Sequence, residues 1–328
     1  MKAIVYTKYG SPDVLKLEEV EKPTPKEDEV LIKIHAAAVT IGDVIVVKGE
    51  PFPVRFWSGL LEPKHKIPGK EMAGRVEAVG AKVTQFQPGD EVFGDLSVCG
   101  LGAFAEYVSV PENAIALKPA NLTFEEAAAV PESAVVALQG LRDKGKIQPG
   151  QKVLINGASG GVGSYAVQIA KSFGAEVTAV CSTRNLDMAR SIGADHVIDY
   201  TREDFTQNGH RYDLILAANG YHSISDYRRA LCPEGIYVGT GGAMAQTFQG
   251  MLLGPIISMT GSKTMGNMLV KPNKNDLIFM KELLEAGKVV PVIDRRYPLG
   301  EVPEAFRYVE EGHAQGKVVI TVEQNGKT

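Results

Sequence analysis

The residues with the clearest chemical potential form a glycine-rich segment, NGASGGVG, at residues 156–163. It directly follows a strand pattern, KVLIN, and opens a helical pattern whose apolar residues recur 4, 7, 8 and 11 positions after Val162. Small residues allow a tight turn and close approach to a pyrophosphate, and amides at a helix N-terminus carry positive partial charge. Although Ala158 replaces the first glycine of the strict G-x-G-x-x-G motif, the order strand, turn, helix, strand predicts a dinucleotide site.

The end of the second strand, VCSTRN at residues 180–185, bears on which dinucleotide binds. NAD sites usually carry a carboxylate about 20 residues beyond the glycines. Here Ser182 and Arg184 stand at that point, and a hydroxyl and a guanidinium suit the 2′-phosphate of NADPH. Tyr200, at the end of the next strand pattern, is predicted to reach the same pocket. The sequence favours NADPH, with the alternative that Ser182 and Asn185 only cap the following helix.

The predicted cofactor site is therefore built from the first helix of a βαβ array and from the ends of its strands. Asn219 and Gly241 end the strand patterns YDLILAAN and IYVGTG in the same array. The residues predicted to bind the cofactor are Ser159, Gly160, Gly161, Val162, Gly163, Ser182, Arg184, Tyr200, Asn219 and Gly241.

A different chemistry is compatible with the same turn, because residues 157–161 also match the G-x-S-x-G nucleophile elbow of hydrolases. Ser159 would be the nucleophile, and Asp213 and His313 follow in the required order. Gly163 has no purpose in a hydrolase but allows close helix–strand packing in a nucleotide-binding fold. A serine hydrolase is thus the less favoured alternative. A non-catalytic NADPH-binding adaptor also stays open, since a fold does not determine a function.

Two patterns of secondary structure position these residues. The first 120 residues contain short β-branched-rich strands separated by Gly, Pro and Asp, which predicts a closed or partly closed barrel. After residue 150, strands alternate with helices of about ten residues, which predicts βαβ units and a parallel sheet. The expected fold class is α/β, with a doubly wound Rossmann domain after a β-barrel domain.

Composition limits the partners of the chain. A formal charge of −4 over 328 residues favours neither nucleic acid nor an anionic membrane. The apolar run at residues 251–259 is too short to span a bilayer and is broken by Gly254 and Pro255, but it suits a homodimer contact. Three well-separated cysteines and the lack of a signal-like N-terminus predict a cytoplasmic protein. A small-molecule substrate is the expected partner.

Four segments together resemble the medium-chain dehydrogenase/reductase superfamily, in particular its zinc-free quinone oxidoreductase (zeta-crystallin-like) branch. These are IPGKEMAGRVEAVG at 67–80, PGDEVFG at 88–94, the ASGGVG turn, and GHAQGK at 312–317. The resemblance covers essentially the whole chain. It implies NADPH-dependent, zinc-independent transfer of hydride to quinones, enones, enals or similar activated carbonyl compounds.

The resemblance also implies a domain organisation. A GroES-like catalytic domain would occupy residues 1–124, with residues 266–328 returning to it, and a Rossmann domain would occupy 125–265. Substrate and nicotinamide would meet in the cleft between these domains. Lys317 and His313 would hold the domains together rather than touch substrate.

The resemblance places Thr40, Lys70 and Glu132 where zinc-dependent relatives hold their catalytic metal. Threonine is a poor zinc ligand, and an ammonium group has no lone pair to donate. We therefore expect Lys70 to put its charge where a metal would lie, paired with Glu132, and with Asp43 in the same substrate cleft. The alternative is that Lys70 is a solvated residue beside a turn.

No tyrosine acid is implied by the resemblance, because Ile45 stands where zeta-crystallin-like members carry tyrosine. Protonation of the product is expected from solvent. Phe56 and Trp57 are candidates for the pocket lining, with ordinary surface aromatics as the alternative.

Overall fold

The computed structural model describes residues 1–322, apart from the side chains of Met244 and Thr260. No helix within this described part is long and apolar enough to cross a lipid bilayer. The strands are β1 Lys2–Val5, β2 Lys16–Glu19, β3 Glu29–Val39, β4 Glu71–Val79, β5 Glu91–Asp95, β6 Tyr107–Pro111, β7 Ile115–Leu117, β8 Lys152–Asn156, β9 Glu176–Cys181, β10 His196–Asp199, β11 Tyr212–Ala217, β12 Leu231–Gly239, β13 Thr264–Asn267, β14 Ile293–Pro298 and β15 Lys317–Thr321. The α-helices are α1 Ile41–Lys48, α2 Arg55–Ser58, α3 Phe124–Ala128, α4 Pro131–Leu138, α5 Gly161–Ser172, α6 Leu186–Ser191, α7 Ile224–Ala230, α8 Met244–Thr260, α9 Lys274–Glu285 and α10 Val302–Glu310.

The chain forms two compact units. The first unit contains Met1–Glu132, Pro272–Glu285 and the chain from Pro291 onward, and the second contains Ser133–Lys271 and Ala286–Val290. The divisions fall later in the chain than the boundaries expected after residues 124 and 265. A short part of the expected returning segment also belongs to the second unit.

The first unit is built on a sheet in the order β14-β15-β3-β4-β5-β7, with β6 also paired to β3. β3 is the longest strand and is largely buried, which places it at the centre of the core. Ala38 near its end pairs with Glu71 of β4 on one side, and Val39 pairs with Val318 of β15 on the other. This register brings the start of β4 and the start of β15 to the two sides of one strand end.

The second unit contains a six-stranded sheet in the order β10-β9-β8-β11-β12-β13. Every pairing in it is parallel, so all six carboxyl ends lie along one edge. β8 lies between β9 and β11, where the strand order reverses, and such a point is where open α/β sheets bind ligands. The predicted parallel sheet and its βαβ units are confirmed.

Helix α1 lies within the first 120 residues, for which only strands and turns were predicted, and its sequence Ile41–Lys48 is rich in β-branched residues. Local caps explain the helix. Thr40 and Asp43 form a capping box at its start, and Gly49 ends it with φ 63°. Regular structure also continues past residue 263, where the sequence patterns are weak, as β13, α9 and β14.

Candidate active site

The glycine-rich turn joins β8 to α5, as predicted, and two of its glycines are required by packing. Gly157 has φ 81°, and a Cβ there would lie 2.6 Å from the Cβ of Asn219. A Cβ on Gly163 would overlap the carbonyl oxygen of Gly157. Gly160 is different, because the nearest atom to a Cβ there is 3.7 Å away. Gly160 therefore faces open space, and this is the cradle that a bound group would fill.

The turn also explains why Ala158 is tolerated in place of the first motif glycine. Its side chain is fully buried, and its N–H donates to the Val180 carbonyl of β9 at 3.0 Å. At the other end of the turn, Gly160 caps α5 without any side-chain cap bond. The first amides of α5 and the positive end of its dipole thus lie beside the open space at Gly160, which fits the pyrophosphate of a dinucleotide.

The structure places the ten predicted cofactor residues along one edge of the parallel sheet. They follow the carboxyl ends of five adjacent strands, an arrangement typical of a nucleotide site. Ser159, Gly160, Gly161, Val162 and Gly163 follow β8, Ser182 and Arg184 follow β9, Tyr200 follows β10, Asn219 follows β11, and Gly241 follows β12.

Sequence reasoning missed Asp199, a carboxylate at the end of β10 next to this edge. It accepts hydrogen bonds from the hydroxyls of Thr183 at 2.5 Å and Thr201 at 2.7 Å, and these bonds lower its pKa. Arg202 lies 3.6 Å from the same carboxylate. The signal was available in HVIDYTR, since an acidic residue that ends a neighbouring parallel strand lies at the same edge.

The alternative of helix capping at the end of β9 is not supported. Neither Ser182 nor Asn185 makes a side-chain cap bond to the segment that follows it. Instead the Asn185 amide donates to the Ser182 hydroxyl at 3.2 Å. Arg184 and Tyr200 are exposed beside them.

The hydrolase alternative is wrong, because the required acid lies at the other edge of the sheet. Ser159 follows the carboxyl end of β8, whereas Asp213 accepts a bond from the N–H of Lys152 at the amino end of that strand. A strand of this length separates them by roughly 15 Å, too far for a catalytic triad.

A cluster of buried charged residues lies in the first unit, and it includes the predicted pair. The Lys70 ammonium donates to Glu132 Oε1 at 3.1 Å, and both side chains are largely buried. The N–H of Glu132 donates to Glu71 Oε1 at 2.7 Å, and Glu71 forms a fully buried ion pair with Lys317. The predicted pairing of Lys70 with Glu132 is confirmed. The ion pair of Lys317 with Glu71 lies inside the first unit, and the expected role of Lys317 in joining the domains stays a prediction.

Helix α1 brings the other two predicted residues to the same cluster. The carboxylate of Asp43 accepts bonds from the Thr40 N–H and hydroxyl, both at 2.9 Å. A Cβ on Gly42 would overlap the Lys70 ammonium and lie 3.4 Å from Glu132 Oε1. Gly42 is thus a residue that sequence reasoning missed, and its only signal was a glycine in the first turn of an unrecognised helix.

The charges in the cluster do not balance. Three buried carboxyl groups, those of Asp43, Glu71 and Asp95, and the largely buried one of Glu132 accompany the two ammonium groups of Lys70 and Lys317. Burial raises the pKa of Asp43 to about 6 and that of Glu71 to about 7, each opposed by the neighbouring lysine. Burial also disfavours the charge on Lys70, but Glu132 and Asp43 outweigh it and hold its pKa above the usual value.

One atom of the cluster is left without a partner. Glu132 Oε2 is buried and has no hydrogen-bond partner among the described residues. Buried acceptors of this kind are rare, because the lost hydration is normally replaced by a donor. The cluster therefore presents a fixed positive charge beside an open acceptor, which can orient a polar substrate.

The residues of the cluster do not fit a zinc ion. A catalytic zinc needs about three His, Cys or carboxylate ligands with an open position, and Lys70 supplies none. In the described part of the chain, no group of three or more His, Cys, Asp or Glu side chains could hold a metal. The cations that the described residues bring to the cluster are the two ammonium groups of Lys70 and Lys317.

Comparison with known families agrees with both units. Residues 26–120 match the alcohol dehydrogenase GroES-like domain, and residues 192–320 match a family described as zinc-binding dehydrogenase. A solved quinone oxidoreductase from Coxiella burnetii shares the fold with a TM-score of 0.85 at 29% identity, covering 98% of this chain and 99% of that one. The predicted GroES-like and Rossmann fold class is confirmed.

Two curated relatives extend over nearly the whole chain. A 2-methylene-furan-3-one reductase from Solanum lycopersicum is 39% identical, with 98% of this chain and 79% of that protein covered. An NADPH-dependent alkenal/one oxidoreductase from Arabidopsis thaliana is 36% identical with the same coverage. On its fold, its nucleotide-type turn and these relatives, the chain is an oxidoreductase that belongs to the medium-chain dehydrogenase/reductase superfamily, in its quinone oxidoreductase-like branch.

Proposed function

We propose that this chain is an NADPH-dependent, zinc-independent oxidoreductase that transfers hydride to enones, enals or quinones. The observation that carries the proposal is the largely buried Lys70–Glu132 pair, a permanent cation at the position where the family resemblance implies a metal ligand in zinc-dependent relatives. The names of the relatives, reductases of a methylene-furanone and of alkenals and alkenones, support the substrate class.

The second unit supplies the cofactor site in this proposal. When bound, NADPH supplies the hydride. The backbone at Gly160 and the first turn of α5 would hold the pyrophosphate, and Ser182 and Arg184 would face the 2′-phosphate. The charge of Asp199 is already engaged by two threonine hydroxyls and the nearby Arg202, so it opposes the phosphate less than a free carboxylate would.

In this proposal the first unit supplies the positive charge that stabilises the reacting carbonyl oxygen. Hydride addition to a conjugated carbonyl places negative charge on the carbonyl oxygen, and a preorganised cation stabilises that charge. Lys70 keeps its proton because of Glu132 and Asp43, so it acts by charge and not by losing a proton. The proton that completes the saturated product then comes from solvent.

A homodimer is a second element of the proposal, and it rests on α8. This helix contains no charged residue, and five of its apolar side chains are more than half exposed. The five are Phe248, Met251, Leu252, Ile256 and Met259. Replacing Leu252 by glutamate should shift the protein to a smaller species in sedimentation velocity, and an unchanged sedimentation coefficient would contradict the dimer.

An acceptor screen tests the function. NADPH oxidation is followed with 2-cyclohexenone, an enal and a naphthoquinone, and the reverse direction is tested with NADP⁺ and ethanol. We expect turnover with the activated acceptors and little with ethanol, because no Lewis acid lowers the hydroxyl pKa. Tight NADPH binding with no turnover of any acceptor would favour the binding adaptor instead.

A further inference from the structure

A cavity of about 360 Å³ lies within the first unit, beside the charged cluster. Val46 of α1 lines one wall, and residues 97–101, which follow β5, line another. Both walls are tied to the cluster, because α1 begins at the Thr40–Asp43 capping box and Leu96 N–H donates to the Lys70 carbonyl at 2.7 Å. The size of the cavity suits a small organic molecule.

One polar group of the lining is without a partner. Tyr6 is only 2% exposed and lines the cavity, yet its hydroxyl makes no hydrogen bond to any described residue. Tyr9 provides the contrast, since its hydroxyl donates to the Gly59 carbonyl at 2.5 Å and lies 2.8 Å from the Ser58 hydroxyl. The Tyr6 hydroxyl faces the cavity and is therefore open to a hydrogen bond from whatever occupies it, water or a ligand.

The other polar groups of the lining already make hydrogen bonds within the chain, or they are not hydroxyl groups. Ser58 Oγ bonds to Val54 O at 3.1 Å, and the Cys99 thiol donates to Leu96 O at 3.5 Å. Burial lowers the pKa of His65, which leaves its ring neutral at physiological pH. The remaining cation, Lys64, is exposed.

The character of the Tyr6 hydroxyl limits what it can bind. Burial raises its pKa, with Tyr9 and Asp43 adding to the effect, so the phenol stays protonated and acts as a hydrogen-bond donor. Val46, Trp57 and Leu101 add apolar side chains to a lining that is otherwise largely polar. The matching ligand is a small molecule with an uncharged oxygen acceptor and a modest apolar part, which describes a small ketone, aldehyde or quinone.

We propose that the cavity binds the carbonyl acceptor and that Tyr6 is the positioning residue whose hydroxyl donates to the acceptor's oxygen. The identity of the ligand as the reaction's acceptor rests on the proposed function, whereas the cavity and its open donor do not. The hydroxyl would thus set both the affinity for the acceptor and the preference for oxygen-bearing ligands.

Binding can be measured without NADPH, because Trp57 is the chain's single tryptophan and lines the cavity. Cyclohexanone serves as the probe, since its carbonyl accepts a hydrogen bond and no reduction occurs without cofactor. We expect saturable quenching of Trp57 fluorescence, and Tyr6→Phe should weaken the Kd about 3- to 10-fold, the loss of one neutral hydrogen bond. Tyr9→Phe is the matched control and should change the Kd less than about twofold.

Steady-state kinetics, together with the titration, distinguish a failure of this proposal from a failure of the proposed function. With NADPH and 2-cyclohexenone, Tyr6→Phe should raise KM by a similar factor and change kcat less, whereas Tyr9→Phe should leave both unchanged. If no acceptor is reduced at all, the cyclohexanone titration still decides the role of Tyr6. Linear, unsaturable quenching, or equal Kd values for the wild type and Tyr6→Phe, would overturn the proposal.

Discussion

The glycine-rich turn of the second unit and the charged cluster of the first unit are built in opposite ways. The turn is one continuous segment of residues with small side chains, and its backbone forms the predicted binding surface for the pyrophosphate. The cluster joins side chains that lie far apart in sequence, since Glu71 and Lys317 are 246 positions apart. Each glycine of the turn can be tested by itself, whereas each charge of the cluster depends on the others. Changes at the open face of the turn should therefore affect mainly binding, and changes in the cluster mainly stability.

The largest expected effect comes from breaking the cluster at Lys70. Lys70→Met leaves Glu132 buried without its cation and should lower the free energy of unfolding by about 3–5 kcal/mol. Combining it with Glu132→Gln removes the stranded charge, so the double variant should be distinctly more stable than the single one. Urea denaturation measures the free energy of unfolding of both variants. Equal losses in the two variants would show that the pair is not a buried unit.

Two glycines of the turn separate the effects on stability from those on binding, because one is required by packing and the other faces open space. Gly163→Ala would press a methyl group on the Gly157 backbone and should cost about 1–3 kcal/mol despite alanine's better helix propensity. Gly160→Ala meets no atom within 3.4 Å and should leave the urea midpoint unchanged. Its methyl group occupies the predicted pyrophosphate space, so NADPH affinity should fall about tenfold or more. Wild-type affinity in Gly160→Ala would place the cofactor elsewhere.

Arg184 tests the cofactor preference within the second unit. Arg184→Ala removes the predicted charged hydrogen-bond partner of the 2′-phosphate and should weaken NADPH binding roughly 10- to 100-fold. NADH lacks that phosphate and should be affected much less. Fluorescence titration gives the Kd of the variant relative to that of the wild type, once for NADPH and once for NADH. A similar loss for both nucleotides, or tighter binding of NADH by the wild type, would contradict the NADPH assignment.

The smallest expected effect concerns Cys99 in the cavity of the first unit. Burial, with Asp95 adding to it, raises the pKa of this thiol to about 12, so little thiolate is present at neutral pH. Alkylation of Cys99 by iodoacetamide should therefore keep rising beyond about pH 10.5, with Cys99→Ser identifying its share of the signal. A plateau by about pH 10.5 would show an ordinary thiol. A thiol kept protonated also resists attack by electrophilic enones.

How far the sequence predicts each region follows from how that region is built. Strand, turn and helix around Gly160 are encoded in one segment, so spacing alone predicts them, and the structure confirms their geometry. The cofactor roles of Ser182, Arg184 and Tyr200 remain predictions. Asp199 was missed because its position matters only once β10 is known to lie next to β9.

The cluster is less accessible to sequence reasoning. The pairing of Lys70 with Glu132 is predictable only through the family resemblance, since no local pattern links residues 62 positions apart. The Glu71–Lys317 pair depends on the register of β4 and β15 with β3, which hydrophobic patterns do not specify. The role of Gly42 requires α1, a helix that its β-branched composition conceals.

The most direct test of zinc-independent hydride transfer is isotopic. Purified protein is dialysed against a strong chelator, its metal content is measured, and it is then given NADPH carrying two deuterium atoms at C4 together with 2-cyclohexenone. We predict cyclohexanone with one deuterium at the former β-carbon, formed at the same rate by the metal-depleted protein. Unlabelled product, or activity that is lost on chelation and restored by zinc, would contradict the proposed function.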